Sequence, residues 1–163
     1  MAKARDVEGL LPQTPYAHAA ARTVRVRADE LFEHAEGVLS IDDIGRVHDM
    51  RVATRRLRAV LELYATCFPA RLLRPVLRDV KRLADALGAR RDPDVQLASV
   101  ARFARCVGEA EAPGLRVVSD SIAARQAAGN EQLAAALAQV ATSDLRGRLL
   151  ALADAAEERV AAA

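Results

Sequence analysis

The sequence predicts an all-α fold: an antiparallel bundle of about four helices with an additional C-terminal helical hairpin. Apolar residues make up 52% of the 163 residues, yet aromatic residues make up only 3%. Much of the apolar content is alanine, the best helix former. Apolar positions recur at helical spacing, and no segment alternates apolar and polar residues as a strand does. Short connections between the helical stretches favour antiparallel neighbours.

The first third of the chain contains two predicted helices. Residues 1–14 show no helical periodicity, and we expect them to be a flexible lead-in. The first helix is predicted from Tyr16 to about Leu39. The second begins after the cap-like cluster 40–43 and continues to Phe68, which a proline follows.

Two shorter helices are predicted in the centre of the chain. The third occupies about residues 71–87, because Gly88 stands where a C-terminal cap is expected. Since proline is tolerated in a first turn, Pro75 favours a start close to it. A fourth helix is predicted over residues 92–107, with Asp92 as its N-cap and a proline in its first position.

Two long helices are predicted in the C-terminal part, over about residues 115–140 and 143–160. Gly129 and its neighbour Asn130 are a candidate interruption of the first of them. We therefore expect three units. They are the lead-in 1–14, a first helical bundle 15–110 and a helical hairpin 111–163.

The formal net charge of +2 conceals an uneven distribution of charge. Between Arg46 and Arg91, twelve lysines and arginines stand against four acids, a local balance of +8 that leaves −6 for the other residues. Four cationic side chains of the second helix share an arc of about 80° on its helical wheel, apart from its apolar face. They are His48, Arg51, Arg55 and Arg58. We call them the second-helix ridge.

The third helix repeats this arrangement within an arc of about 100°. Its ridge contains Arg74, Arg78, Lys81 and Arg82. A short connection would place the two ridges side by side. A solvated helix face usually mixes charges of both signs, so the pattern favours an anionic ligand. Because arginine forks match phosphate oxygens and the spacing repeats, a repeated anion fits better than one phosphate.

Two motifs resemble those of a known family. The segment 47–58, VHDMRVATRRLR, with Phe68 ten residues on, is similar to the first signature of the CHAD (conserved histidine α-helical domain) family. The segment 81–95, KRLADALGARRDPDV, is similar to its second signature. The resemblance implies an all-helical domain that binds inorganic polyphosphate through a basic groove and is found at polyphosphate granules. Some members of the family stand beside a triphosphate-cleaving domain.

The resemblance also implies site residues. It places His48, Arg51, Arg55 and Arg58 at the anion site. From its place among arginines we interpret His48 as a hydrogen-bond donor to phosphate or as a ridge residue ordered by packing. The second motif adds Lys81, Arg82 and Arg91, while Arg74 and Arg78 come from the helical wheel alone.

The sequence departs from the family pattern in its length. Members usually contain two similar bundles, and the second has its own basic helix, whereas no histidine follows His48 and no lysine follows Lys81 here. Two interpretations stay open. The chain is a short or truncated member, or two copies form a homodimer in which one ridge faces the other and the apolar helix faces are covered.

Other function classes have less support. We find no glycine-rich phosphate loop and no metal-ligand cluster, so no catalysis, metal or cofactor is expected. Asp92 and Asp94 are interpreted as helix-start acids. Cys67 and Cys106 are expected to be buried, inert thiols. No apolar run is long enough to cross a membrane and no signal peptide is recognisable, which favours the cytoplasm.

Two binding functions remain as alternatives to polyphosphate binding. Nucleic acid would also be attracted by a basic helix face, but the ridges lack interleaved aromatic residues for stacking and amide side chains for base edges. The other alternative is an adaptor that binds an acidic or phosphorylated protein.

Overall fold

The computed structural model describes residues 3–41 and 43–161, without the side chains of residues 160 and 161. Five α-helices follow one another: α1 Tyr16–Glu33, α2 Ile44–Leu63, α3 Ala70–Phe103, α4 Ala112–Thr142 and α5 Leu145–Ala161. Two 3₁₀ turns, Ala65–Cys67 and Glu109–Glu111, flank α3. The described residues contain no strand, and none of their helices is long and apolar enough to span a membrane. The predicted all-α class is confirmed.

The first two helices end earlier than predicted. Helix α1 stops at Glu33, because the chain then turns through Gly37, whose φ of +67° suits a residue without a Cβ. Helix α2 stops at Leu63 and passes into a 3₁₀ turn. Its start is close to the prediction, since the Asp43 carboxylate accepts a hydrogen bond of 3.1 Å from the Gly45 amide. The neighbouring Asp42, in the predicted cap cluster, lies outside the described residues.

The largest difference lies in α3, where the predicted third and fourth helices are one helix of 34 residues. The predicted cap at Gly88, the start near Pro75 and the N-cap at Asp92 are wrong. A proline inside a helix removes one donor, and packing can offset that loss. Pro75 lies near the exposed start of α3, while Pro93 is buried, so its ring gains apolar contact that helps to keep the helix intact.

Helix α4 is also continuous, so the predicted interruption at Gly129 is wrong. A Cβ at Gly129 would lie 2.7 Å from the carbonyl oxygen of Ala89 in α3. Pro93 has no N–H to donate to that carbonyl, since residues four apart pair in a helix. The glycine therefore allows α4 to approach α3 closely at the point where the α3 backbone lacks a donor.

A single apolar core joins parts of all five helices. Helix α1 packs against α2 and α5, α2 packs against the first half of α3, and α4 runs along α3. The largest buried apolar side chains include Leu31, Met50, Leu57, Leu61, Leu83, Leu87, Leu133, Leu145, Leu149 and Leu152. This core fixes α2 and α3 as antiparallel neighbours, with their basic residues on the outside.

A buried polar cluster ties the middle of α3 to α4. Arg90 and Asp94 form an ion pair with both side chains fully buried. Gln126 donates to Asp94 at 2.6 Å, Arg90 donates to the Asn130 oxygen at 3.1 Å, and Asn130 donates to the carbonyl of Leu39. The interpretation of Asp94 as a helix-start acid is therefore wrong, because it pairs with a buried arginine in the helix interior.

The two cysteines differ in their surroundings, and both are free thiols. Cys67 is buried as expected, and burial raises the pKa of its thiol. Cys106 is exposed, so the expectation that it is buried is wrong. It lies just after the end of α3, where the chain packs only near the start of α4.

Candidate anion-binding groove

The orientation of α2 follows from its contact with α1. Although burial opposes it, the hydrogen bonds from Arg27 and from the Arg5 amide, with the charge of Arg56, lower the pKa of Glu30 on α1. Arg56 therefore marks the flank of α2 that faces α1. Arg51 and Arg58 lie more than a third of a turn away on the helical wheel, on the opposite flank. That flank faces α3, the other neighbour of α2.

The orientation of α3 follows from Asp79, whose side chain is only 11% exposed. Arg148 of α5 donates to Asp79 at 2.6 Å, and Arg78 and Arg82 lie 3.9 and 3.8 Å from the same carboxylate. This flank of α3 therefore faces α4 and α5. Lys81 lies about 200° from Asp79 on the helical wheel, on the flank toward α2.

The predicted site residues thus fall into two groups. One group comprises the cations of α2 and those of α3 that lie on the helical wheel away from Asp79, and we call the surface between these two helices the α2/α3 groove. Its members are His48, Arg51, Arg55, Arg58, Arg74, Lys81 and Arg91. The other group, Arg78 and Arg82, turns toward α4 and α5 and shares the carboxylate of Asp79. The helical wheel alone could not separate the groups, because the separation depends on which helix lies beside each flank.

Most cations of the α2/α3 groove have no acidic partner. Within the described residues, the groove members that form no salt bridge are His48, Arg51, Arg55, Arg74 and Lys81. The Nε of Arg51 is buried and has no hydrogen-bond acceptor. Arg58 is paired with Glu62 on its own helix at 2.8 Å, and Arg91 lies 3.7 Å from Asp94. The groove therefore carries positive charge that the protein itself leaves largely uncompensated.

The two helices present these cations as antiparallel rows. Arg51 and Arg58 are separated by about 10 Å along α2, as are Arg74 and Lys81 along α3, at the helical rise per residue. Because the turn between the helices is short, Arg58 lies near the level of Arg74, and Arg51 near that of Lys81. An extended polyanion could contact both rows over this length.

Gly88 is a groove residue that the sequence prediction misassigned as a helix cap. It lies within α3, on the wheel between Lys81 and Arg91, and is partly buried. A Cβ at this position would meet no atom within 4 Å, so packing does not require glycine here. The helical periodicity that continues past Gly88 was the signal that could have placed it.

Arg148 is a basic residue that the sequence analysis missed altogether. It donates to Asp79 and to the carbonyl and hydroxyl oxygens of Ser143, and so links α5 to α3 beside Arg78 and Arg82. No local motif around residue 148 could have indicated this, because the contact joins residues 69 positions apart.

All five aromatic residues of the chain lie outside the α2/α3 groove. Tyr16 and Tyr64 pack on each other with ring centroids 4.8 Å apart, and Phe68 is buried. Phe32 lies beneath Arg146, and Phe103 is exposed at the end of α3. The groove therefore offers charge and hydrogen-bond donors without stacking surfaces. Within the described residues, no three His, Cys, Asp or Glu side chains form a group that could hold a metal ion.

Comparison with known proteins adds one result to this geometry. Comparisons with curated proteins and with solved structures gave no match. The family model described as "CHAD domain" matches residues 22–163, which include both motifs and all five helices except the start of α1. The chain therefore belongs to the CHAD domain family.

Proposed function

We propose that this protein binds inorganic polyphosphate along the α2/α3 groove and does not act on it chemically. CHAD domains in general are non-catalytic modules that bind polyphosphate. The observation that carries the proposal is the set of unpaired groove cations, Arg51, Arg55, Arg74 and Lys81. A chain of phosphates supplies repeated negative charge over the same length, so each cation could gain a partner.

The side chains of the groove have distinct roles in this proposal. Arg51 and Arg55 of α2 donate from one side, and Arg74 and Lys81 of α3 donate from the other. Guanidinium groups bind phosphate oxygens through two parallel hydrogen bonds, while the lysine contributes a compact charge. His48 donates one hydrogen bond at the end of the α2 row. Arg58 and Arg91 already interact with carboxylates of the protein. Phosphate would compete with those carboxylates, so these two arginines contribute less to the binding of polyphosphate.

Arg78 and Arg82 form a second, weaker part of the proposed site. They lie close to Asp79, but that carboxylate is already hydrogen-bonded to Arg148 at the much shorter distance of 2.6 Å. Their side chains are about two-thirds exposed, so they stay available to an anion that extends across the outer face of α3. A long polyphosphate chain could therefore pass from the groove across α3.

The groove chemistry favours polyphosphate over nucleic acid. Single-stranded nucleic acids bind through stacking of bases on aromatic rings, and the groove contains none. Its donors are suited to phosphate oxygens, which are denser along polyphosphate than along DNA. Association with polyphosphate granules would follow from this preference, with the protein bound through the groove.

The experiment that tests this proposal is a competition measurement. Fluorescently labelled polyphosphate is bound to the protein, and unlabelled polyphosphate, single-stranded DNA or duplex DNA is added at equal phosphate concentration. We expect polyphosphate to displace the probe at a concentration at least tenfold lower than either DNA. Equal displacement by DNA would overturn the specificity, and absence of probe binding at low salt would overturn the function.

A further inference from the structure

An open cavity lies between α3 and α4, on the flank of α3 that carries Asp79 and away from the α2/α3 groove. Its volume is about 520 Å³, within the ~300–1,000 Å³ that is typical of sites for small molecules. The middle of the cavity is apolar, and most of its apolar side chains are alanines, which leave room for a flat ring. The apolar residues are Leu83, Ala86 and Ala89 of α3 and Ala136 and Val140 of α4.

One end of the cavity carries an excess of positive charge around the single carboxylate of Asp79. Arg148 hydrogen-bonds to this carboxylate at 2.6 Å. The nearest nitrogens of Arg78 and Arg82 lie 3.9 and 3.8 Å from it, beyond hydrogen-bond distance. One carboxylate balances only one of these three guanidinium charges. Because the side chains of Arg78 and Arg82 are about two-thirds exposed, both are available to a phosphate group at this end of the cavity.

The other end of the cavity offers hydrogen-bond acceptors. Asp85 and Gln132 line it, and within the described part of the chain neither side chain forms a hydrogen bond or a salt bridge. Asp85 stays unpaired even though Lys81 and Arg82 precede it by one helical turn. An ionised carboxylate only accepts hydrogen bonds, and the oxygen of a side-chain amide also accepts them. This end therefore favours a ligand group that bears N–H donors.

We propose that this cavity binds a nucleoside phosphate, with the phosphate on Arg78 and Arg82 and the edge of the base toward Asp85. The base then lies on the apolar middle of the cavity. Arg78 and Asp85 are seven residues apart, which is about 10 Å along α3 and comparable with the length of a nucleoside monophosphate. Guanine fits Asp85 best, because it presents two adjacent N–H groups to the two oxygens of a carboxylate, whereas adenine presents only its amino group.

The three parts of the cavity together select this class of ligand. Inorganic phosphate would contact Arg78 and Arg82 but would leave the apolar middle in water. An organic cation would gain Asp85 but would be repelled by the two arginines. A nucleoside phosphate joins an anionic group, a flat ring and N–H donors in one small molecule. The proposal does not rest on polyphosphate binding, because the unpaired cations of the α2/α3 groove take no part in it.

Binding of guanosine monophosphate tests the proposal. The full chain carries Arg51→Ala and Arg55→Ala in this experiment, so that the α2/α3 groove contributes little to the binding of phosphate. Saturation-transfer NMR should show transfer from the protein to the protons of the base. In calorimetric titrations, guanosine and inorganic phosphate should each bind at least about tenfold more weakly than the nucleotide, since each lacks one set of contacts. Adenosine monophosphate should bind several-fold more weakly.

Two substitutions locate the site. Ala136→Leu fills the apolar middle of the cavity and should abolish detectable binding, whereas Ala135→Leu, at a neighbouring position of α4 outside the cavity, should not. Asp85→Asn should remove the preference for guanine over adenine, whereas Asp92→Asn, at an exposed acid of the same helix, should keep it. Circular dichroism checks that each variant is folded.

Three results would overturn the proposal. The first is the absence of transfer to the base protons. The second is equal binding of inorganic phosphate and guanosine monophosphate, which would show that the arginines attract an anion only. The third is binding that neither Ala136→Leu nor Asp85→Asn alters. If Ala136→Leu does not fold, Asp85→Asn decides alone, because Asp85 is exposed and asparagine preserves its size. Polyphosphate binding by the unmodified chain is a separate measurement, so the two proposals fail independently.

Discussion

The α1/α5 interface and the α2/α3 groove use the same residue type in opposite ways. Between α1 and α5, Arg25 contacts Asp154 at 2.6 Å and Glu157 at 2.7 Å. Arg146 pairs with Asp29 at 2.9 Å. In the α2/α3 groove, most arginines face neither a carboxylate nor a carbonyl of the described chain. The two regions therefore differ in whether the protein itself supplies an acidic partner for their arginines.

The pairing between α1 and α5 also affects protonation. The hydrogen bond from Arg25 lowers the pKa of Glu157, and the hydrogen bond to Glu157 raises the pKa of Arg25. These charges are already satisfied by one another, and an added anion would compete with an existing carboxylate. Arg51, Arg55, Arg74 and Lys81 of the groove have no such competitor, so an anion that binds these four side chains breaks no ion pair.

The largest effect on stability is expected when a buried arginine loses its carboxylate partner. In Asp94→Ala, Arg90 would keep its charge in the interior without its carboxylate. We expect the free energy of unfolding to fall by about 3–5 kcal/mol, as for other broken buried ion pairs. Denaturant unfolding followed by circular dichroism measures this change.

Asp120 provides the control for that substitution, because it is exposed on α4. Asp120→Ala should change the stability by less than about 0.5 kcal/mol. If Asp94→Ala were as mild as Asp120→Ala, the buried pair would not contribute to holding α3 as one helix, and our account of that helix would fail.

A smaller effect on stability is expected from a substitution at Gly88, which also tests whether the ligand approaches this part of the groove. Gly88→Ala should raise the free energy of unfolding by roughly 0.5–1 kcal/mol, because alanine favours the helix and its Cβ meets no atom. The same methyl group would occupy space beside Lys81 and Arg91, so polyphosphate affinity should fall several-fold. Thermal unfolding and a binding titration of one sample measure both quantities.

Gly114 is the matched control, since a Cβ there also meets no atom within 4 Å and the residue lies in α4, away from the groove. Gly114→Ala should not weaken polyphosphate binding. Unchanged affinity in Gly88→Ala would show that the ligand does not approach this part of α3.

The fold class and the basic helices could be predicted because they depend on local periodicity. The apolar face of α2 and its cap at Asp43 follow from residue spacing, and the first motif lies on the helix where it was expected. The continuity of α3 could not be predicted, since Gly88 and Pro93 have strong local preferences that packing against α4 overrides. Local propensity gives no information on such long-range contacts.

The arrangement of the candidate site likewise depends on long-range contacts that the sequence does not show. All of its cations were identified from the sequence, but their division between the α2/α3 groove and the Asp79 side was not. That division depends on Arg148, which reaches α3 from α5. Burial of the Arg90 and Asp94 pair likewise depends on α4, whose Gln126 and Asn130 complete the cluster.

The most direct test compares two double variants by polyphosphate titration and by unfolding. Arg51→Ala with Arg55→Ala should weaken binding roughly 30-fold, at about 1 kcal/mol for each lost contact, and leave stability unchanged. Arg25→Ala with Arg146→Ala removes the same charge but should lower stability by about 1–2 kcal/mol and leave affinity within about twofold. Equal loss of affinity in both variants, or unchanged affinity in the first, would contradict the assignment of the α2/α3 groove.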